Sequence, residues 1–131
     1  MKHITAEWLK SAKSDLDTIE KILGDDRLTP VVAFHAQQCV EKVFKAVVEE
    51  FELRAVKTHD LITLKNTIGS VCDEDFDEDV LSLLNKLYID SRYPGDLGLL
   101  PSGKPTVEDA KMFYGNSEEI YNKVKDFLEK K

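Results

Sequence analysis

The chain has 131 residues, a length that fits a single domain with its own hydrophobic core, and we predict one domain over residues 1–131. Hydrophobic residues make up 42% and charged residues 33% of it, and the net charge of −7 at pH 7 argues against broad, nonspecific affinity for nucleic acid because phosphates are repelled overall. No apolar run is long enough to span a membrane and the first residues lack the apolar core of a signal peptide, so we expect no membrane partner and a cytoplasmic location.

The first half of the chain predicts two long helices. Apolar side chains recur every three or four residues over about residues 5–23, where Thr5 can cap the N-terminus. The second helix covers about residues 30–51, with Thr29 as the predicted N-cap and Pro30 at the first helical position, where its missing N–H costs nothing. One apolar face of this second helix is formed by Val32, Ala36, Val40, Val43 and Val47.

Helices three and four are predicted on either side of an acidic run. The third begins near Thr58 or Asp60 and carries apolar residues at helical spacing. The fourth begins within the run 73–79, because negative charge favours a helix N-terminus. It reaches Arg92 and ends before Pro94, which disfavours a helical residue ahead of it.

A fifth helix follows a loop rich in proline and glycine at residues 94–105. Thr106, three residues before Asp109, comes close to a capping box at its start. No segment alternates in the manner of a strand, and the connections between helices are short. We therefore predict an all-α fold, an up-and-down antiparallel bundle of four long helices and one shorter helix.

A polar stripe on helix two is the first candidate site. Gln38, Glu41, Lys42 and Lys45 recur at helical spacing beside the apolar face, and His35 shares their side of the helix. Polar groups next to an apolar seam need hydrogen-bond partners. The stripe therefore indicates a packed polar cluster, a dimer surface or a ligand site.

The end of helix four is the second candidate site. Tyr88 and Arg92 lie one turn apart, and Tyr93 and Asp96 follow. The Arg92 guanidinium can present a two-pronged donor to a phosphate, with Tyr88 or Tyr93 stacked on a base. Alternatively, Arg92 is only a favourable cation at a helix C-terminus. His59, at the start of helix three, completes the set of candidate ligand-binding residues.

The sequence predicts no metal, no cofactor and no catalytic set. The histidines lack metal-binding spacing, and we interpret them first as hydrogen-bonded structural residues. Cys39 and Cys72 form neither a CxxC pair nor a zinc pattern, so we expect reduced thiols. Phosphate-binding loops, nucleophile elbows and dinucleotide glycine patterns are also missing from the sequence.

Several short segments, taken together and in order, carry a family resemblance. They are WLKSAKSDL at 8–16, AFHAQQCVEK at 33–42, KA at 45–46, THDL at 58–61, SRYP at 91–94 and TVEDA at 106–110. With these segments the chain resembles HEPN-domain proteins (higher eukaryotes and prokaryotes nucleotide-binding) of the small, free-standing prokaryotic type. The resemblance covers nearly the whole chain.

This resemblance implies a helical bundle that usually dimerises and is often encoded beside a minimal nucleotidyltransferase, as a toxin–antitoxin-like pair. Some members are metal-independent RNases, with a motif of arginine followed four to six residues later by histidine. Arg92 matches the arginine, but positions 96–99 hold aspartate, leucine, glycine and leucine, and no histidine follows His59. The resemblance therefore does not carry RNase activity to this chain.

Three functions remain open at this point. The leading expectation is a noncatalytic homodimeric module that binds a nucleotide, RNA or a nucleotidyltransferase through Arg92 and the polar stripe of helix two. The alternative is a metal-independent RNase toxin in which His35 or His59 reaches Arg92 within the bundle or across a dimer. The third is a structural interaction bundle whose polar residues only satisfy one another. The sequence leaves the ligand, and toxin or antitoxin polarity, open.

Overall fold

The computed structural model describes residues 1–54, 57–90 and 104–130, with residues 89 and 90 described by their backbone alone. Over these ranges the chain forms five α-helices, one 3₁₀ turn and no strand. The helices are α1 (His3–Ile22), α2 (Thr29–Glu50), α3 (Leu61–Ile68), α4 (Glu78–Asp90) and α5 (Val107–Glu129). The predicted all-α architecture, with one helix shorter than the other four, is confirmed.

Helix α2 lies at the centre of the bundle and packs against α1, α3, α4 and α5. The backbone N–H of Lys2, next to the start of α1, bonds to Glu50 at the end of α2, so these two helices are antiparallel. Tyr88, near the end of α4, stacks on Phe34, near the start of α2, so α4 is also antiparallel to α2.

Helix α5 runs in the same direction as α2. The Thr29 hydroxyl donates to the Pro105 carbonyl at one end, and Phe127 stacks on Phe51 at the other. The four long helices therefore alternate in direction along the chain, as an up-and-down bundle requires. The apolar residues predicted for the face of α2 are almost completely buried: Val32, Ala36, Val40, Val43 and Val47.

The predicted capping role of Thr5 is wrong. Helix α1 begins at His3, with Lys2 at the N-cap position, and Thr5 lies inside the helix and is buried. The Thr5 hydroxyl and the Lys2 backbone N–H both donate to Oε1 of Glu50, at 2.9 and 2.8 Å. The start of α1 is thus capped by a carboxylate from α2 rather than by a side chain of its own first turn.

Thr29 is not an N-cap either. It is the first residue of α2, after Leu28 at the N-cap position, so Pro30 takes the second helical position rather than the first. The Thr29 hydroxyl turns instead to Pro105, at 2.7 Å. This contact joins the starts of α2 and α5, and sequence reasoning missed it because the two residues are distant in the chain.

The remaining helix starts agree with expectation. Asp60 caps α3: its carboxylate accepts hydrogen bonds from the backbone N–H groups of Ile62 and Thr63. Thr106 and Asp109 form the complete capping box of α5, and α4 begins inside the acidic run. The predicted end of α4 at Arg92 lies outside the described residues. No helix in the described part of the chain is long and apolar enough to cross a bilayer.

Candidate functional site

The first half of the site is built on the buried carboxylate of Asp15, on α1, and we call it the Asp15 centre. His35 Nδ1 lies 2.8 Å from Oδ1, and Lys42 Nζ lies 2.8 Å from Oδ2. His35 and Lys42 are seven residues apart and so share one face of α2. Both side chains therefore reach across the α1–α2 interface to one acceptor.

The second half, the Glu41 centre, is built on the buried carboxylate of Glu41 itself. Lys45 Nζ lies 2.8 Å from Oε2, Gln37 Nε2 lies 3.1 Å from Oε1, and His59 Nδ1 lies 3.0 and 3.1 Å from the two oxygens. Burial acts to raise the pKa of Glu41, but the hydrogen bonds from Lys45, Gln37 and His59 outweigh it and lower that pKa below its ordinary value. Glu41 is therefore a charged acceptor at neutral pH.

Two glutamine amides extend the Glu41 centre. Gln37 is fully buried, and its nitrogen donates to the backbone carbonyl of His59 at 3.0 Å as well as to Glu41. Its oxygen accepts from Gln38 Nε2 at 2.7 Å. These bonds fix the loop that carries His59 against α2.

The two histidines are oriented in the same way. Each ring turns Nδ1 toward a buried carboxylate, and neither Nε2 bonds to any residue in the described ranges. A neutral imidazole that donates from Nδ1 leaves a lone pair on Nε2. His35 is 25% and His59 is 56% exposed, so both can meet a ligand that approaches from solvent.

A row of aromatic rings joins the two centres. Phe34 meets His35 edge-on at 5.3 Å between ring centroids and stacks on Tyr88 at 5.6 Å. Tyr88 in turn meets His59 at 5.5 Å. Tyr88 is only 8% exposed between these neighbours, so His59 offers a base the more accessible ring.

The structure thus brings together seven of the ten candidate residues: His35, Gln38, Glu41, Lys42, Lys45, His59 and Tyr88. Lys45 also lies over the ring of Trp8, with Nζ 5.6 Å from the centroid, which extends the site toward α1. The other three candidates, Arg92, Tyr93 and Asp96, lie outside the described residues. The distance from His35 or His59 to Arg92 is therefore not described either.

The candidate residues predicted from the sequence did not include Asp15, Gln37 and Phe34. A signal was available for the first two, because each is a polar residue that falls within an apolar stripe. Asp15 lies between Ala12 and Ile19 of α1, all three buried. A buried charge or amide requires a partner, and here the partners come from α2 and from the loop before α3.

Metal and thiol chemistry have no support in this region. Nowhere in the described part of the chain do three histidine, cysteine, aspartate or glutamate side chains converge as a metal site would need. Cys39 and Cys72 are free and buried. Burial raises the pKa of the Cys39 thiol far above its ordinary value, which leaves it unreactive.

A cavity of about 470 Å³ lies elsewhere, at the ends of α2 and α5. It is lined by Phe51, Val71, Glu74, Lys123, Asp126, Phe127 and Lys130, none of which belongs to either centre. Its size suits a small ligand. None of the candidate residues predicted from the sequence lines it, so the candidate site is defined by the side-chain cluster rather than by this cavity.

Comparison with known proteins identifies the class of this bundle. The family model for the HEPN domain matches residues 5–127. The chain belongs to the HEPN family, and the resemblance inferred from the sequence is confirmed.

Individual proteins agree with this assignment. The chain is 31% identical over 139 aligned positions to "Putative toxin MJ1304" of Methanocaldococcus jannaschii, an alignment that covers 95% of this chain and 88% of that protein. Its fold is similar to the crystal structure of ST0689, an archaeal HEPN homologue, with a TM-score of 0.65 over 98% of this chain and 99% of the other. Sequence identity there is 22%, so the second comparison establishes the fold alone.

Proposed function

We propose that this chain is a toxin-type HEPN module that binds RNA or a nucleotide at the surface formed by the Asp15 centre, the Glu41 centre and the aromatic row between them. One observation carries the proposal: two histidines are each oriented by a buried carboxylate and lie at the two ends of one row of rings. A purely structural cluster has no need to leave both Nε2 atoms without a hydrogen-bond partner among the described residues. The similarity to a protein named as a toxin supports the toxin-type assignment.

The chemistry of the surface suits a nucleotide. The exposed ring of His59 can stack on a base, since histidine is one of the side chains on which unpaired bases stack. Lys42 and Lys45 each keep further ammonium hydrogens beyond the one bonded to a carboxylate. Arg92 follows Tyr88 by one helical turn of sequence and is proposed as the main phosphate contact.

Binding is tested by the fluorescence anisotropy of a labelled single-stranded RNA. We expect His59→Ala to weaken binding at least about fivefold, since one stacked base contributes about 1–3 kcal/mol. His3→Ala is the matched control, because His3 is 86% exposed at the start of α1, outside both centres. Equal affinity for wild type and His59→Ala would contradict the proposal.

The assembly state is part of the same proposal. We infer a homodimer and a minimal nucleotidyltransferase partner, both on the strength of family membership. Light scattering coupled to size exclusion, at micromolar concentration, is expected to give twice the chain mass of 14.9 kDa. A mass of one chain, with no association with a nucleotidyltransferase encoded beside it, would contradict both inferences.

Metal-independent RNA cleavage is the second candidate function, and the contact of each histidine Nδ1 with a carboxylate favours it. An imidazole Nε2 with its Nδ1 on a carboxylate is a suitable general base. One Nε2 removes the proton of a 2′-hydroxyl, the 2′-oxygen attacks phosphorus, and the bond to the 5′-oxygen breaks. A protonated imidazole supplies the proton to that leaving oxygen, and the products are a 2′,3′-cyclic phosphate and a 5′-hydroxyl.

Cleavage in the presence of EDTA decides between the two candidates. The catalytic function predicts cyclic-phosphate ends, with activity lost in Arg92→Ala and in either His35→Ala or His59→Ala. Unchanged cleavage in all of these variants points to a contaminating nuclease and contradicts the catalytic function. If the wild type binds RNA and leaves it intact, only the noncatalytic function remains.

A further inference from the structure

The orientation of the buried Gln37 amide is determined by its neighbours. Its nitrogen faces a carboxylate oxygen of Glu41 at 3.1 Å and the carbonyl oxygen of His59 at 3.0 Å. Rotating the amide by half a turn would place its oxygen against both of these oxygens. Gln37 Nε2 must therefore point inward, and Gln37 Oε1 must accept a hydrogen bond from elsewhere.

Gln38 supplies that hydrogen bond, which fixes its own orientation in turn. Gln38 Nε2 donates to Gln37 Oε1 at 2.7 Å, and the opposite orientation would bring two amide oxygens together. One N–H of Gln38 is thereby used. Its second N–H and its oxygen bond to nothing within the described part of the chain.

The side-chain oxygen of Gln38 lies at the surface. Among the described residues, every buried side-chain nitrogen or oxygen has a hydrogen-bond partner. Since Gln38 Oε1 has none, it must be accessible to solvent. Gln38 follows Phe34 by four residues and therefore lies beside it on the same face of α2, next to the aromatic row.

An amide with an accessible oxygen and a second N–H that no described residue accepts can pair with the edge of a nucleobase. Bases present adjacent donors and acceptors, such as the amino group and ring nitrogen of adenine, and a glutamine amide can pair with both at once. We propose that Gln38 reads the edge of an unpaired base, so that the ligand class is single-stranded RNA or a free nucleotide rather than duplex RNA. This inference rests on the proposed function, which it narrows.

Duplex RNA leaves this amide only the minor-groove edges of its bases. Its pairing edges are already occupied, and the major groove of an A-form helix is too narrow for side chains to reach its bases. A negatively charged chain also gains little from the dense phosphates of a duplex. The fixed amide therefore discriminates by the pairing state of the base.

The test compares three labelled ligands of equal length in anisotropy titrations: a single-stranded RNA, its duplex, and a strand of the same backbone with abasic positions. We expect the single strand to bind at least about tenfold more tightly than the other two, because a two-pronged base contact contributes about 1–3 kcal/mol. Gln38→Leu is expected to reduce the preference for the single strand over the abasic strand to the part that stacking on His59 supplies. Asn122→Leu, an amide-to-leucine change at an exposed position of α5, is the matched control.

A second measurement does not depend on the folding of a variant. In the wild-type chain, the side-chain amide signals of Gln38 are expected to shift when single-stranded RNA is titrated into a ¹⁵N-labelled sample. RNA binding with equal affinity for single strand and duplex, or with Gln38 signals that do not move, overturns the role of Gln38 and leaves the proposed function standing. Absence of binding to every RNA and nucleotide overturns both.

Discussion

The charge of Glu41 links the stability of the site to pH. Its pKa in the folded chain is lowered from an ordinary value of 4.5, despite burial, by hydrogen bonds from Lys45, Gln37 and His59. The unfolded chain therefore binds the proton more readily than the folded chain does. The stabilisation is complete above the ordinary pKa and is lost as the pH falls through the lowered one.

Glu41→Gln tests this linkage. We expect the substitution to reduce the free energy of unfolding at pH 7 by about 2 kcal/mol, since it removes charge-assisted hydrogen bonds. The difference from wild type should shrink as the pH falls below 4.5, and urea denaturation at pH 7 and at acidic pH measures it. Glu129→Gln, in an exposed pair with Lys125, should change stability by less than about 0.5 kcal/mol. A wild-type advantage that grows on acidification would refute the argument.

Thr5 makes a residue-scale contact that its position in the sequence does not reveal. Its hydroxyl is buried and donates to the Glu50 carboxylate, which also accepts a hydrogen bond from the backbone N–H of Lys2, the N-cap residue of α1. Thr5→Val keeps the shape but removes the donor, and we expect a loss of about 1–2 kcal/mol in the free energy of unfolding. Thr18→Val in the same helix is the control, because its hydroxyl bonds only to the exposed backbone of Ser14. Equal stability of the two variants would contradict the assigned role.

His59 lies two residues before α3, and the start of α3 depends on α4. Asn85 of α4 accepts a hydrogen bond from the Leu61 backbone N–H at 2.9 Å and donates to Asp60 at 3.2 Å. Asp60 is itself the N-cap of α3. The start of this eight-residue helix is therefore fixed from outside, as a short helix with few bonds of its own requires.

Asn85→Ala is expected to loosen α3 more than the rest of the bundle. The substitution leaves the Leu61 N–H without its acceptor, and we expect a loss of about 1–2 kcal/mol in stability. Hydrogen exchange should show faster exchange at the amides of α3 and unchanged protection in α1 and α5. Asn66→Ala, at an exposed position within α3, is the control. Uniformly faster exchange in all helices would show that α3 has no separate dependence on Asn85.

The elements of this fold are more predictable from the sequence than their ends or their polar contacts. Periodicity places α1 and α2 within two residues of their observed bounds, because apolar spacing within one helix records which face is buried. The contacts of Thr5 and Thr29 cannot be predicted in this way, since each hydroxyl bonds to a residue that is distant in the chain. The site shows the same limit. The polar stripe of α2 is visible in the sequence, but Asp15 contacts that stripe only because α1 packs against α2.

At the scale of the whole molecule, net charge limits how this chain can bind RNA. The charge of −7 repels phosphates overall, so affinity must arise from a few local cations and from contacts with bases. The cations of the proposed site are Lys42, Lys45 and Arg92. Two of these, the lysines, are already bonded to buried carboxylates, which makes base contacts the larger part of the expected affinity.

The salt dependence of binding measures this balance. For single-stranded RNA, the logarithm of the association constant falls with the logarithm of salt concentration by about 0.7 per neutralised phosphate, so three cations predict a slope of about −2. Anisotropy titrations over a series of salt concentrations give the slope directly. Arg92→Ala should make it shallower by about 0.7, whereas Lys125→Ala, on the exposed face of α5, should leave it unchanged. A slope steeper than about −4 requires more phosphate contacts than the site can supply, and binding would then occur on another surface.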